Sequence, residues 1–107
     1  MLEIETTVKR YALEKEIEAA VKRYAESKGW LSRKWTSPNH AFVPDQIFIA
    51  PGGAVIFIEF KRTGAKPTAG QEREHTRLRN QGCLVYVVDS VEQGKQIVDE
   101  VKNEIPK

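Results

Sequence analysis

"VPDQIFIAPGGAVIFIEFKR", residues 43–62, decides how the rest of this 107-residue chain is read. Two runs rich in β-branched and aromatic residues, "DQIFIA" and "AVIFIEFK", flank Pro51, Gly52 and Gly53, the pattern of a β-hairpin. If those three residues form the loop, Ala50 faces Ala54, Ile49 faces Val55, Ile47 faces Phe57 and Asp45 faces Glu59. A loop of another length, or a glycine bulge, would give Asp45 a different partner. In the three-residue register two carboxylates meet across the strands, with Cβ atoms about 4.5–5.5 Å apart, where like charges destabilise a sheet. Alternation puts Lys61 on the same face as Glu59, roughly 7 Å along the strand. Charges at strand ends are ordinarily solvated tips or surface ion pairs. Here Glu59 stands between Ile58 and Phe60, in a run too apolar for a solvated strand, and Asp45 follows Pro44 at the matching end of the other strand.

Carboxylates held this close repel, or retain a proton, unless a cation lies between them. With one cysteine, Cys83, and two histidines, the chain has too few ligands for a thiolate or imidazole cage, and no internal disulfide can form. A hard ion held by oxygen fits better, Mg²⁺ or Mn²⁺. Such an ion polarises a phosphoryl oxygen and activates a water. Lys61 could orient that water or stabilise developing negative charge, which together is phosphodiester hydrolysis chemistry.

Outward from the hairpin, "LEKEIEAAVKRYAESKGW" spaces Leu13, Ile17, Ala20, Val21 and Tyr24 by three and four, predicting an amphipathic helix that stops at Gly29. "WLSRKW" reads as a short strand and "TSPNH" as a loop. "TAGQEREHTRLRNQG" reads as a helix capped by Thr68, with Gln71 completing a capping box and Gly82 ending it. "CLVYVV" reads as a buried strand, and "SVEQGKQIVDEVKNEI" as a last helix from Ser90. Residues 1–10 fit a strand or an extension of the helix. The order is αβββαβα, an α/β fold with a mixed sheet flanked by helices, and the crossover helix makes the last strand parallel to "AVIFIEFK".

The length fits one domain spanning residues 1–107. No apolar run approaches the roughly 20 residues of a membrane span, and the charged start "MLEIETTVKRYALEKE" is unlike a secretory signal. An intracellular, cytoplasmic protein without membrane contact is expected. Net charge is only +2, but its distribution is uneven: residues 61–79 hold six basic groups against two acidic, directly after "IEFK".

With "PD" at Pro44–Asp45 and "EFK" at Glu59–Lys61, the chain resembles a PD-(D/E)xK nuclease. The ExK strand, the basic loop, the glutamine opening the next helix and "L-x-x-x-G" at Leu78–Gly82 resemble the VRR-NUC (virus-type replication-repair nuclease) branch, over residues 12–101. The resemblance implies a restriction-endonuclease-like core and Mg²⁺- or Mn²⁺-dependent cleavage of DNA. It makes Asp45, Glu59 and the Phe60 carbonyl metal ligands and Lys61 the catalytic lysine, with Gln71 in support. It also implies a first-helix glutamate near the metal, for which Glu14 has the usual spacing and Glu16 and Glu18 are neighbours. His75 departs from the family's aromatic residue and is expected to pack. Arg62, Lys66, Arg73 and Arg77, with Arg79, would track the DNA backbone; Lys22, Arg23, Arg33 and Lys34 could widen that surface. Trp30 and Trp35 read as core or interface, and Cys83 as packing.

A bare domain of this size has little room for sequence-reading loops, which argues against a restriction-type enzyme and for recognition of DNA shape. Stand-alone members resemble Holliday-junction resolvases, so branched DNA and a homodimer, with residues 1–11 in its interface, are expected. A monomeric flap or nicking nuclease and a non-catalytic DNA-binding subunit are the alternatives. A bacterial or phage-encoded setting is in keeping with the resemblance.

Overall fold

The computed structural model describes residues 12–104, with side chains as far as Val101; the expectation for residues 1–11 lies outside the described residues. The elements are α1 (Glu14–Ser27), β1 (Leu31–Lys34), β2 (Gln46–Ile49), β3 (Val55–Phe60), α2 (Ala69–Asn80), β4 (Leu84–Val88) and α3 (Val91–Glu104). This is the expected αβββαβα order. The strands lie side by side in the order β1-β2-β3-β4, antiparallel for the first two pairings and parallel between β3 and β4. Parallel neighbours need a crossover connection, and the segment through α2 supplies it, as expected.

The hairpin register is the one expected from a three-residue loop. Ile49 pairs with Val55 and Ile47 with Phe57, while Ala50 and Ala54 close the turn through a 2.8 Å hydrogen bond. Asp45 lies one residue before β2, and its main-chain carbonyl accepts from the Trp35 N–H at 2.9 Å. The strands thus separate two different faces. One carries Phe48, Ala50, Ile56, Ile58, Phe60 and Val88, which meet Ile17, Val21 and Ala25 of α1 and Ile97, Val98 and Val101 of α3 in the core. The other carries Asp45, Ile47, Ile49, Phe57 and Glu59.

The helices α1 and α3 approach closely at Gly94, where a Cβ would come within 2.4 Å of a Val21 methyl group. A glycine inside a helix costs helical stability, and here it makes room for the neighbouring helix. The caps follow the sequence. Thr68 Oγ1 accepts from the Gln71 N–H (3.1 Å) and Gln71 Oε1 from the Thr68 N–H (2.9 Å), and Ser90 Oγ accepts from the Gln93 N–H (3.1 Å). At the start of α1, Leu13 offers no side-chain acceptor, and the Glu16 carboxylate reaches back to its N–H at 3.2 Å.

One expectation is corrected in detail. "CLVYVV" is not buried throughout: Leu84 is 42% exposed, and burial is deepest at Val85 and Val88. β4 is an edge strand whose beginning projects past its cover, and Cys83 before it is a half-buried free thiol. Among the described residues no helix is long and apolar enough to cross a membrane.

Candidate active site

Glu59 is the centre of the outer face. It is 2% exposed, although a carboxylate in β3 would ordinarily seek water. Oε2 accepts a hydrogen bond from Gln71 Nε2 at 3.0 Å and lies 3.9 Å from Lys61 Nζ. Oε1 has no hydrogen-bond partner among the described residues, and it faces His75 Nε2 at 3.7 Å, which is also without one. Burial pushes the Glu59 carboxyl up to about 8. Asp45 adds to that rise by its charge and by a hydrogen bond to the protonated form, Glu14 adds a little, and Lys61 opposes it. Near neutral pH the metal-free site therefore holds a proton, the outcome expected for two carboxylates meeting across strands.

Each partner arrives for a local reason. Asp45 is fixed by its own carboxylate, whose Oδ2 accepts from the Phe60 N–H at 2.9 Å. Lys61 follows Glu59 by strand alternation, and its N–H donates to the Val88 carbonyl at 2.9 Å, holding it at the end of the parallel pairing. Gln71 serves twice, one end of its amide in the capping box and the other on Glu59. His75 comes one helical turn later on the same side of α2, and is 1% exposed. Burial, followed by the Arg79 charge, lowers its pKa, so the imidazole is neutral beside Glu59.

The three first-helix glutamates are distinguished by what they touch. Glu16 caps the helix. Glu18 accepts from Gln46 Nε2 at 2.8 Å, which ties α1 to β2. Glu14, one turn earlier, feels the charges of Asp45 and Lys61, and burial and Asp45 raise its pKa. Of the three it is the one whose carboxyl is coupled to Asp45 and Lys61 by charge.

Whether a divalent ion suits these residues can be judged from Glu59. A deeply buried carboxylate oxygen with no donor, beside a second carboxylate, is a local excess of negative charge that a cation would satisfy. Among the described residues no three His, Cys, Asp or Glu side chains group as a ready cage. A hard divalent ion can be held by one or two carboxylates, water and substrate phosphate. Asp45, Glu59 and the Phe60 carbonyl, with Glu14 at the rim, fit that requirement.

The basic residues divide. Arg62 and Lys66 are exposed on the loop that joins the Lys61 end of β3 to α2, and their side chains make no ion pair or hydrogen bond among the described residues. Arg73 and Arg77 lie on the opposite side of α2 from Gln71 and His75, beside a shallow groove with Ala69, Glu72 and Thr76, and Arg77 is paired with Glu74 at 2.9 Å. Arg79 donates to the Val85 carbonyl at 2.8 and 3.3 Å and staples α2 to β4. Lys22, Arg23 and Lys34 line a separate groove along α1 with Glu14 and Glu18, and Arg33 is exposed on β1. Trp30 is core, and Trp35 lies on Phe57 with ring centroids 4.9 Å apart.

Gln46, buried among apolar residues, carries no motif and was not read from sequence. His75, expected to pack, is buried against the central carboxylate, a partner for which its position one turn after Gln71 was the available signal.

No family model matches the chain. The provisionally named nuclease p44 of Acyrthosiphon pisum secondary endosymbiont phage 1 is 45% identical over 62 residues, covering 58% of this chain and 67% of that protein. A solved structure of a VRR_NUC domain is similar with a TM-score of 0.76 and 33% identity, covering 82% of this chain and 97% of that one.

Proposed function

The chain belongs to the VRR-NUC family of nucleases, and from that premise we propose that it is a divalent-metal-dependent endonuclease that hydrolyses phosphodiester bonds at branched DNA. The observation that carries the reading is Glu59: a buried carboxylate beside Asp45, with one oxygen unpaired and its pKa pushed up to about 8. A structural ion pair would leave no such oxygen.

Asp45, Glu59 and the Phe60 carbonyl would hold the ion, with Glu14 bearing on it from α1. When bound, a Mg²⁺ or Mn²⁺ ion lowers the pKa of water and polarises a phosphoryl oxygen. Lys61, 15% exposed and anchored near Glu59, orients the attacking water or stabilises charge building on the phosphate. Gln71 holds Glu59 Oε2 in place, and neutral His75 closes the floor beneath Oε1. Arg62 and Lys66 bind the DNA backbone next to the cut, and Arg73 and Arg77 extend that surface around α2.

A four-way junction has two equivalent strands to cut, so resolving it calls for two copies of this one-site domain. Leu31, Ile49 and Val55 align across β1, β2 and β3 on the outer face, with Leu31 51% and Val55 40% exposed, an apolar strip in keeping with self-association. A monomer would instead suit flap cleavage or nicking.

Labelled four-way, flap and linear DNA, incubated with and without Mg²⁺ or Mn²⁺, tests the reading. Cleavage is expected only with the ion, and faster on branched DNA. Lys61→Ala should lose cleavage while DNA binding persists; equal loss of both in a folded variant would count against its role. Sedimentation with and without junction DNA separates the two assemblies, and a strictly monomeric protein at micromolar concentration would favour the flap or nicking enzyme.

A further inference from the structure

Phe42 stands out on three independent counts. Its backbone is left-handed, with φ at 74°, and it is the one non-glycine residue with positive φ among the described residues. A bulky side chain is a rare occupant of that region, and such strain collects at functional sites. It is also 51% exposed, so half of an apolar ring stands in water. Finally, its ring is held: a Cβ on Gly70 would come within 2.7–3.0 Å of three consecutive atoms along one edge of the Phe42 ring, so glycine at 70 is what lets the ring approach the first turn of α2.

Its location relates these facts to the site. Phe42 precedes Asp45 by three residues, in a loop whose ends are joined by the Trp35 N–H and the Asp45 carbonyl. Gly70 precedes Gln71, whose amide holds Glu59. The ring therefore spans from the segment carrying one carboxylate to the helix that supports the other, at the rim of the site. Beyond that helix start runs the basic loop with Arg62 and Lys66. A seat on glycine and an unfavourable backbone angle hold the ring out without burying it.

We propose that Phe42 is a stacking platform for a nucleobase unpaired at a DNA branch point, placed so that the adjacent phosphate enters the carboxylate site. The assignment rests on the nuclease reading above and gives it a means of recognising DNA structure. A base that has left its helical stack exposes its faces, and any base presents a π-face to the ring, so the contact reads structure and not sequence. Continuous duplex offers no free base and gains nothing from it.

The test compares wild type with Phe42→Gly, Phe42→Ala and Phe42→Trp on three DNAs in Mn²⁺: a flap, the same flap with an abasic site at the branch, and linear duplex. Phe42→Gly and Phe42→Ala are expected to lower the flap-to-duplex cleavage ratio about tenfold, and Phe42→Trp to restore it. On the abasic flap, wild type and Phe42→Ala should converge. Because glycine accepts φ near 74° freely, Phe42→Gly should hold or raise Tm. In parallel, 2-aminopurine at the branch reports stacking by its fluorescence, and wild type should quench it more than Phe42→Ala does, in Ca²⁺ without turnover.

An unchanged flap-to-duplex ratio, or an equal loss on the intact and abasic flaps, would overturn the assignment. So would a Tm lowered by several degrees in Phe42→Gly with an unchanged ratio, which would make the ring a packing residue. Dissociation of an oligomer in Phe42→Ala would reassign it to a protein contact. If wild type cuts none of these DNAs the nuclease reading fails, and the 2-aminopurine signal still decides whether the ring meets a base.

Discussion

Ile58 and Phe60 on one side of β3, and Glu59 and Lys61 on the other, are neighbours in sequence that belong to opposite kinds of interior. The first side is closed by α1 and α3 around apolar groups. The second is covered in part by α2 and concentrates charge. Among the described residues each side contains two buried side-chain atoms without hydrogen-bond partners, Trp30 Nε1 and Gln46 Oε1 against Glu59 Oε1 and His75 Nε2. Only the second pair face each other, 3.7 Å apart, and only there is one of them a carboxylate. The difference teaches that strand alternation lets a small sheet hold a packed core and a strained polar site without either invading the other.

The sharpest way to break this contrast is to change adjacent residues. Phe60→Ala should cost about 3–5 kcal/mol of stability through the cavity it leaves. Glu59→Gln should leave the metal-free melting temperature near neutral pH about level, since the amide resembles the protonated carboxyl already held there, yet reduce cleavage by about 10²–10³-fold or more. Thermal melts with single-turnover assays check both, and a large loss of stability in Glu59→Gln would refute the division of the faces.

Gly94→Ala probes the core side alone. With Val21 only 2.4 Å from the added Cβ, the helices must part, and about 1–3 kcal/mol should be lost. Cleavage per folded molecule, measured well below the melting temperature, should stay near wild type.

A smaller effect follows from the Glu59 proton. Its folded pKa, about 8, lies above the ordinary 4.5, so between those values the metal-free folded state holds a proton that the unfolded chain has released. The contribution is favourable at low pH and is lost as pH rises through about 8. Relative to Glu59→Gln, metal-free wild type should lose stability steadily between about pH 5.5 and 8.5, read as a falling Tm that the variant does not share. Mg²⁺ should recover it and release a proton that calorimetry in buffers of different ionisation enthalpy can count. Identical pH profiles for the two proteins would rule out a perturbed Glu59.

The least effect is expected from Asp45→Asn. Asparagine can still accept from the Phe60 N–H, and above about pH 8, where Glu59 is ionised, easing the repulsion between the two should raise metal-free stability by up to about 1 kcal/mol. A clear fall in Tm would argue against repulsion between the two.

What was legible in the sequence was local. The hairpin register followed from a Pro-Gly-Gly turn and period-two alternation, and the Thr68–Gln71 capping box from two residues at a fixed offset. The first-helix glutamate was not legible, because the choice among Glu14, Glu16 and Glu18 depends on how α1 rolls against the sheet, which the Gln46–Glu18 bond fixes at long range. His75 was read as packing because its neighbour across space, Glu59, is 16 positions away in sequence. Phe42 gave no signal at all: left-handed backbone ordinarily announces itself by glycine or asparagine.

The parallel pairing of β3 with β4 has a consequence for how the protein is made. Asp45 and Glu59 leave the ribosome together on one hairpin, but Gln71 and His75 follow, and the strand that closes the sheet beside Glu59 comes later still. Until Val87 and Val88 have paired with Glu59 and Phe60, the sheet beside Glu59 is open and the burial that raises its pKa is incomplete. A nascent chain halted after Asn80 thus carries both acidic residues of the motif and the lysine but should be inert toward DNA, as ribosome-bound chains of graded length would show. For a nuclease synthesised among nucleic acids, the strand that returns beside Glu59 is also its safety catch.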